Sequence, residues 1–488
     1  MSLVLHVVRT LLRGADVVIL LYFLVVNTGY LVLTLLAAVE VYQHRRRVPT
    51  SGIGELYRSP FTEPVTLIMP AYNEGPGIVS AVQAVAALRY PTFEVVVVDD
   101  GSTDDTFERL CEAFDLTEVP RVVPAEVPYR GRVRAVYRPR SGAAGLVVVR
   151  KDNGGKSDAL NVGINLARYP LVCMIDADSI LDPDALLSVA KPFADDPLRV
   201  IASGGVVRVV NGCRILAGRV AEVRMPHGWL PRIQVIEYLR AFLLGRTGWS
   251  RLGGVLVISG AFGLFRRDLL VEVGGLAEDT IGEDVELVVR LHRYARRRRQ
   301  PYRVVFVAEP VSWSEAPSSL RVLARQRRRW HRGLTELLFK HRGMVGNPRY
   351  GRIGLLALPY FTFVELLAPV VELSALVLLP VGFVLGAVNV NFAWRFMLAA
   401  YAYACLVSLV AVAVEEVSFH RYNRWRDLGV VLAAAVLENL GYRQLTAWWR
   451  LQGSWAALRG HAPVWGTMVR EGFPSEPSPA ADPPARPL

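Results

Sequence analysis

From Val17 to Val39 the chain carries no charged residue, and the run closes on Glu40 and then Arg45-Arg46-Arg47. A bilayer crossing takes about 20 apolar residues in a helix, so this segment is expected to span a membrane. No Ala-x-Ala cleavage pattern comes after it, which argues against a removable signal peptide. Basic residues favour the cytoplasmic side. The three arginines therefore place the residues beyond Arg47 in the cytoplasm, with Arg9 and Arg13 weakening that bias.

Apolar residues return in force after residue 350. Ile353–Val390 would be about 57 Å long as a helix against a hydrocarbon core of ~30 Å. Pro359 offers a break, so a short interfacial piece is expected first and then a span near Phe361–Gly386. A further span is expected near Phe396–Val414, and the basic His420–Arg426 returns the chain to the cytoplasm. Leu428–Leu440 is apolar but interrupted by Glu438, Asn439 and Arg443. A last span, a re-entrant segment and an interfacial helix all suit it. The Pro-, Ser- and Ala-rich tail is expected to be disordered.

Between the apolar ends the pattern changes. Val65–Met69, Glu94–Val98, Leu146–Arg150 and Leu171–Ile175 are short Val/Ile/Leu runs. Helical patterns near Ile78–Leu88, Asp104–Phe114 and Lys156–Arg168 alternate with them. Buried parallel strands joined by helices look like this. The expectation is an α/β domain with a mixed, mainly parallel sheet inserted between transmembrane helices, and with ligands at the carboxyl ends of its strands. The chain then divides into 1–47 with the first span, 48–317 as the α/β domain, 318–350 as an interfacial helix, 351–473 as a membrane region with two to three spans, and the tail 474–488. The net charge of +12 sits mostly in arginine clusters beside the membrane segments. Such clusters contact anionic lipid, and no nucleic-acid partner is expected. Cys111, Cys173, Cys213 and Cys405 are too scattered for a metal site or a disulfide framework.

Two acidic groups come directly after strand-like runs. Asp99, Asp100 and Asp104 lie on a turn where a carboxylate can accept from a base N–H or a ribose hydroxyl; ordinary turn chemistry accounts for the same residues. Asp176 and Asp178 share a face if the strand continues, because side chains alternate. Two such carboxylates can hold Mg2+ or Mn2+ and leave positions for diphosphate oxygens. The nearby Asp182-Pro-Asp184 repeats the pattern and reads as a helix-starting turn. In Lys151-Asp-Asn-Gly-Gly-Lys156 the glycines permit close approach, and both lysines are candidates to meet phosphate. Glu283 and Asp284 begin an apolar-patterned helix, where an acid favours the dipole or serves as a general base. Ser318–Lys340 is amphipathic, with Leu320, Leu323, Trp330, Leu334 and Leu337 on one face, as suits a helix lying in the membrane interface. On it, Arg329 can bind diphosphate and the Trp330 indole can stack on a sugar.

Together these residues resemble the membrane-embedded family-2 glycosyltransferases, the group of cellulose, chitin, hyaluronan and poly-N-acetylglucosamine synthases. The resemblance covers roughly residues 60–345. Its carriers are Val65–Glu74, Val98–Asp104, Lys156 with Asn161, Asp176-Ala-Asp178, Ser259–Phe262, Gly282-Glu-Asp284 and Gln326-x-x-Arg-Trp330. It implies a GT-A-type fold and a UDP-sugar donor, UDP-GlcNAc or UDP-glucose. Asp99, Asp100, Lys156, Asp176, Gln326 and Arg329 would bind the donor, and Asp176 with Asp178 the metal. Asp284, with Glu283 beside it, would be the base for an inverting displacement. Trp330 would bind the acceptor, a growing glycan or a lipid. It further implies processive polymerisation at the cytoplasmic face of a bacterial inner membrane, with outward export of the product.

Three departures stand out. Pro120–Gly145 is long and basic and has no assigned role. Glycine replaces threonine before Glu283-Asp284, a change expected to matter little because the carboxylate carries the chemistry. The few membrane helices leave room for a second copy or an accessory export subunit. The competing outcomes are single-sugar transfer to a lipid and a degenerate scaffold or channel subunit; retention of Asp176, Asp178 and Asp284 argues against the latter.

Overall fold

The computed structural model describes residues 2–47, 52–141, 145–216, 218–387, 390–419 and 425–460. The tail 474–488 and most of the basic His420–Arg426 segment lie outside them.

The strands, in chain order, are β1 (Val65–Ala71), β2 (Phe93–Asp99), β3 (Leu116–Val119), β4 (Val133–Pro139), β5 (Leu146–Lys151), β6 (Leu171–Ile175), β7 (Ile180–Leu181), β8 (Val200–Val209), β9 (Arg214–Leu216), β10 (Arg219–Glu222), β11 (Phe262–Arg266) and β12 (Arg303–Ser314). β9 and β10 pair with each other. The rest form one sheet in the order β3-β4-β5-β2-β1-β6-β11-β8-β12-β7. Its centre, β5-β2-β1-β6, is parallel; β11 runs against both its neighbours, and β8 and β12 are parallel again. This is the mixed α/β sheet of a GT-A-type domain. β1 lies at the point where successive connections turn to opposite sides, so the loops after β1, β2 and β6 open on a common crevice.

Alternation along the strands explains both faces. Leu67, Met69, Val95 and Val97 pack with Ile78, Val82 and Leu110 of the helices on one side. Ile68, Val96, Val98, Val172 and Met174 pack with Leu160, Ile164 and Val288 on the other. Every one of these side chains is buried, each contributing about 1.5–3 kcal/mol. The unassigned 120–145 segment contains β4, which extends the sheet antiparallel to β5 and pairs with β3. A basic strand was hidden there because its faces are only half-buried.

Among the described residues, three helices are long and apolar enough to cross a membrane: His6–Gln43, Ile353–Val384 and Ala393–Val417. The first extends the expected Val17–Val39 at both ends, within a helix running Ser2–Arg47. The expected break at Pro359 does not form. Ile353–Ala357 and Phe361–Leu366 are π-helical on either side of the proline, and the wider turns accommodate its missing N–H without ending the helix. Trp425–Leu437 is short. It runs into a wide turn in which Leu440 and Gly441 leave helical geometry, and Arg443–Leu458 comes next.

The amphipathic helix is Leu320–Lys340, capped by Ser319, whose Oγ accepts from Val322 N. Much of it is covered by protein rather than left to an interface. Arg443–Leu458 packs along it, with Gly453 directly over the Arg328 backbone. Its arginine side is not simply solvated either, since Arg327 is buried against Glu237 at 2.7 Å.

Candidate active site

One cavity of about 2170 Å³ collects most of the residues singled out by pattern: Asp100, Lys156, Asp176, Asp178, Glu283, Asp284, Gln326, Arg329 and Trp330. They come from the ends of β2 and β6, the starts of two helices and the middle of a third. Asp99 is the exception. It is wholly buried, its Oδ1 accepts from Ser102 N at 3.1 Å, and Arg150 lies 3.9 Å from its Oδ2. It shapes the turn and does not reach the cavity, because strand alternation sends it to the opposite side from Asp100.

Asp100 is engaged by its own surroundings. Lys151 pairs with it, and Gly154 and Gly155 N–H donate to its two oxygens at 3.0 and 2.8 Å. Lys151 also lies 2.6 Å from Asp158, and all three side chains are buried. Asp158 in turn accepts from the backbone of Arg130 and Gly131. Lys151 therefore cannot meet phosphate. It joins the turn after β2, the glycine loop and the 120–132 segment into one unit. Nothing in the local pattern distinguished it from Lys156.

Lys156 does line the cavity. It pairs with Asp176 and stands 3.9 Å from Glu283. Burial opposes its charge, yet Asp176, Glu283 and Asp284 outweigh that and raise its pKa. The same burial pushes Glu283 up to about 7, with Lys156 opposing and Asp284 adding to the rise. Asp284 is more open. Its Oδ2 accepts from Gly260 N at 3.0 Å and its Oδ1 from Val285 N at 2.8 Å, so its carboxylate is held at the helix start facing the cavity.

Asp176 and Asp178 are hard oxygen donors at one strand end, the kind Mg2+ and Mn2+ take. Among the described residues no third His, Cys, Asp or Glu joins them in a cluster. Lys156 occupies Asp176 Oδ1 and leaves Oδ2, so the pair would suit a metal that takes its remaining ligands from diphosphate and water.

On the far wall, Gln326 is buried and its Oε1 has no partner, so it stands ready to accept from a ligand. The Trp330 ring is 43% exposed, lies 6.5 Å from that of Tyr238 and carries the Arg327 guanidinium 4.5 Å from its centroid. Tyr238, unmarked by any motif, widens the aromatic platform. Beyond it the same cavity continues to Tyr30, Tyr360, Glu365 and Val407, all on the apolar helices.

The model of the family described as "Glycosyltransferase like family 2" matches residues 63–333. A poly-beta-1,6-N-acetyl-D-glucosamine synthase of Staphylococcus aureus is 29% identical over 303 residues, 62% of this chain and 60% of that protein. Its Staphylococcus epidermidis counterpart is 28% identical over 278 residues, 57% and 56% of the two chains. The matched region thus spans less than two thirds of either relative. Among solved structures, the mannosyltransferase PcManGT of Pyrobaculum calidifontis, in complex with GDP-Man and Mn2+, aligns over 86% of this chain and 99% of that one. Its identity is 21% and its TM-score 0.49, too distant to bear on function. The family match takes in the sheet, both acidic strand ends, Asp284 and the Gln326–Trp330 turn of the helix, and this chain belongs to glycosyltransferase family 2.

Proposed function

We propose that the protein is an inverting, processive synthase that builds a β-linked polysaccharide from UDP-GlcNAc or UDP-glucose and passes it into the membrane. The observation that carries this reading is the continuity of the cavity from Lys156 and Asp176, past Asp284 and Trp330, to Tyr30, Tyr360 and Glu365 on the apolar helices. A product that stays bound between additions needs such a path. The staphylococcal synthases are named for a polymer of N-acetylglucosamine, which favours that donor.

In this reading Asp100 and its glycine loop receive the nucleoside and Arg329 the diphosphate, while the open Gln326 Oε1 accepts from a hydroxyl of the donor sugar. Asp176 and Asp178 would hold Mg2+ or Mn2+, and the bound ion would offset charge on the leaving diphosphate. Lys156 keeps Asp176 oriented and adds positive charge beside the phosphates. Trp330 stacks on the acceptor sugar and presents its hydroxyl to Asp284. Asp284 removes the proton as the oxygen attacks the anomeric carbon from the side opposite the diphosphate, inverting the configuration. The catalytic domain faces the cytoplasm, where nucleotide sugars are made, and the three spans anchor it in a bacterial inner membrane. An accessory subunit or second copy would complete the export path.

The test is product analysis of the purified protein in lipid nanodiscs with Mg2+ or Mn2+ and a panel of labelled UDP-sugars. Long polymer from one donor is expected. Products limited to one sugar on lipid would replace processive synthesis with lipid glycosylation, and no UDP release with any donor would return the scaffold alternative.

A further inference from the structure

The helical stretch that carries Tyr238 continues, π-helical, through Leu239–Arg246, and Arg246 lies about two turns beyond Tyr238 on the cavity wall. Other arginines at this junction between domain and membrane helices have carboxylate partners. Arg240 pairs with Glu438 at 2.6 Å, Arg327 with Glu237 at 2.7 Å, and Arg450 with Glu365 at 3.3 Å. Arg246 has neither hydrogen bond nor ion pair among the described residues, and its Nη1 is buried without a partner. The rings of Phe242 and Phe306 flank its guanidinium, at 3.8 and 5.7 Å.

A half-buried cation with a buried, unpaired N–H is costly to keep, and such groups persist where a ligand completes them. We propose that Arg246 is an acceptor-binding residue, whose free N–H groups hydrogen-bond the oxygens of a neutral acceptor sugar seated between Trp330 and Asp284. The inference rests on the glycosyltransferase reading of the site and adds a determinant that no motif contains.

Two observations place Arg246 on the acceptor side rather than with the diphosphate. It shares a helical stretch with Tyr238, whose ring neighbours Trp330. Burial lowers its pKa to about 10, and the carboxylate that partly opposes this is Asp284, not Asp176 or Asp178. An anionic ligand would be repelled by Asp284 there, whereas a sugar hydroxyl can accept from Arg246 and donate to Asp284. A planar guanidinium offers those oxygens a fixed fork that a lysine lacks.

The test compares full-length wild type, Arg246→Gln and Arg246→Lys in nanodiscs. Binding of a β-linked N-acetylglucosamine oligomer is read by intrinsic tryptophan fluorescence, UDP binding by calorimetry, and transfer against hydrolysis of UDP-GlcNAc by product analysis. Arg246→Gln should weaken oligomer binding by about tenfold or more, raise the share of donor lost to water and leave UDP binding unchanged, with Arg246→Lys recovering only part. Its melting temperature should stay the same or rise, because no partner is orphaned. Unchanged oligomer affinity, a parallel loss of UDP affinity, a fall in melting temperature shared by both variants, or a wild type that binds no oligomer would each overturn the assignment. Oligomer binding that depends on Arg246, in a wild type that transfers from no UDP-sugar, would overturn the synthase reading and leave the Arg246 subsite standing.

Discussion

Gly282 and Gly333 stand backbone against backbone. A Cβ on Gly333 would lie 3.1 Å from the Gly282 Cα, and one on Gly282 would lie 3.3 Å from the Gly333 Cα. Gly282 precedes the helix carrying Glu283 and Asp284, and Gly333 sits three residues past Trp330. The contact fixes how closely the helix start carrying Asp284 approaches the helix carrying Trp330. Glycine at 282 therefore matters, contrary to what the carboxylate's dominance suggested, because its neighbour is backbone and cannot swing aside.

Gly333→Ala should push the two elements apart and cost about 1–3 kcal/mol of stability, as overpacking does. Transfer should fall while UDP binding holds. Calorimetry and turnover on the same preparation check this, and undiminished turnover would show that the spacing is not critical.

Asp284→Asn preserves shape and can keep one of the two backbone contacts, to Gly260 or Val285 N–H, but removes the proton acceptor. Transfer should drop about 10²–10⁴-fold with UDP affinity intact. A variant that turns over normally would remove Asp284 as the base.

Asp178→Ala takes away one of two hard oxygen donors. The gain in UDP affinity on adding Mn2+ should shrink by roughly tenfold or more, about 1.4 kcal/mol. A titration indistinguishable from wild type would defeat the metal assignment.

Lys151→Met leaves Asp100 and Asp158 buried without their shared cation. Breaking a buried pair from one side costs about 3–5 kcal/mol, so the melting temperature should fall well before any effect on the metal. If the variant melts with wild type, the triad is not what joins these loops.

Burial raises Glu283 to about 7, against an unperturbed 4.5. The folded state then binds a proton that the unfolded state releases, so this group's contribution is complete below about 4.5 and is lost as pH rises through 7. Glu283→Gln never bears that charging cost. Its melting temperature relative to wild type should climb from pH 5 to pH 8; a difference that is flat with pH would mean that Glu283 stays ionised throughout.

Much of this protein is dictated by its residues alone. Strand runs such as Leu171–Ile175 and the helix starts at Lys156 and Glu283 appear where the pattern puts them, because alternation and helical periodicity are local consequences of burial on one side. The uncharged Val17–Val39 stretch near the N-terminus is equally local, since apolar length alone suits it to a bilayer. What only the tertiary structure decided are matters of pairing between distant segments. Asp99 and Asp100 are adjacent, yet one is sealed in the turn and the other faces the cavity. Lys151 and Lys156 are both loop lysines, yet one is locked between two carboxylates and the other meets Asp176. Gly282 and Gly333 touch across separate elements, and Arg246 makes no ion pair among the described residues while its neighbours are paired. A sequence records which charges exist; whether each is buried, matched or left open depends on which backbone the fold brings against it.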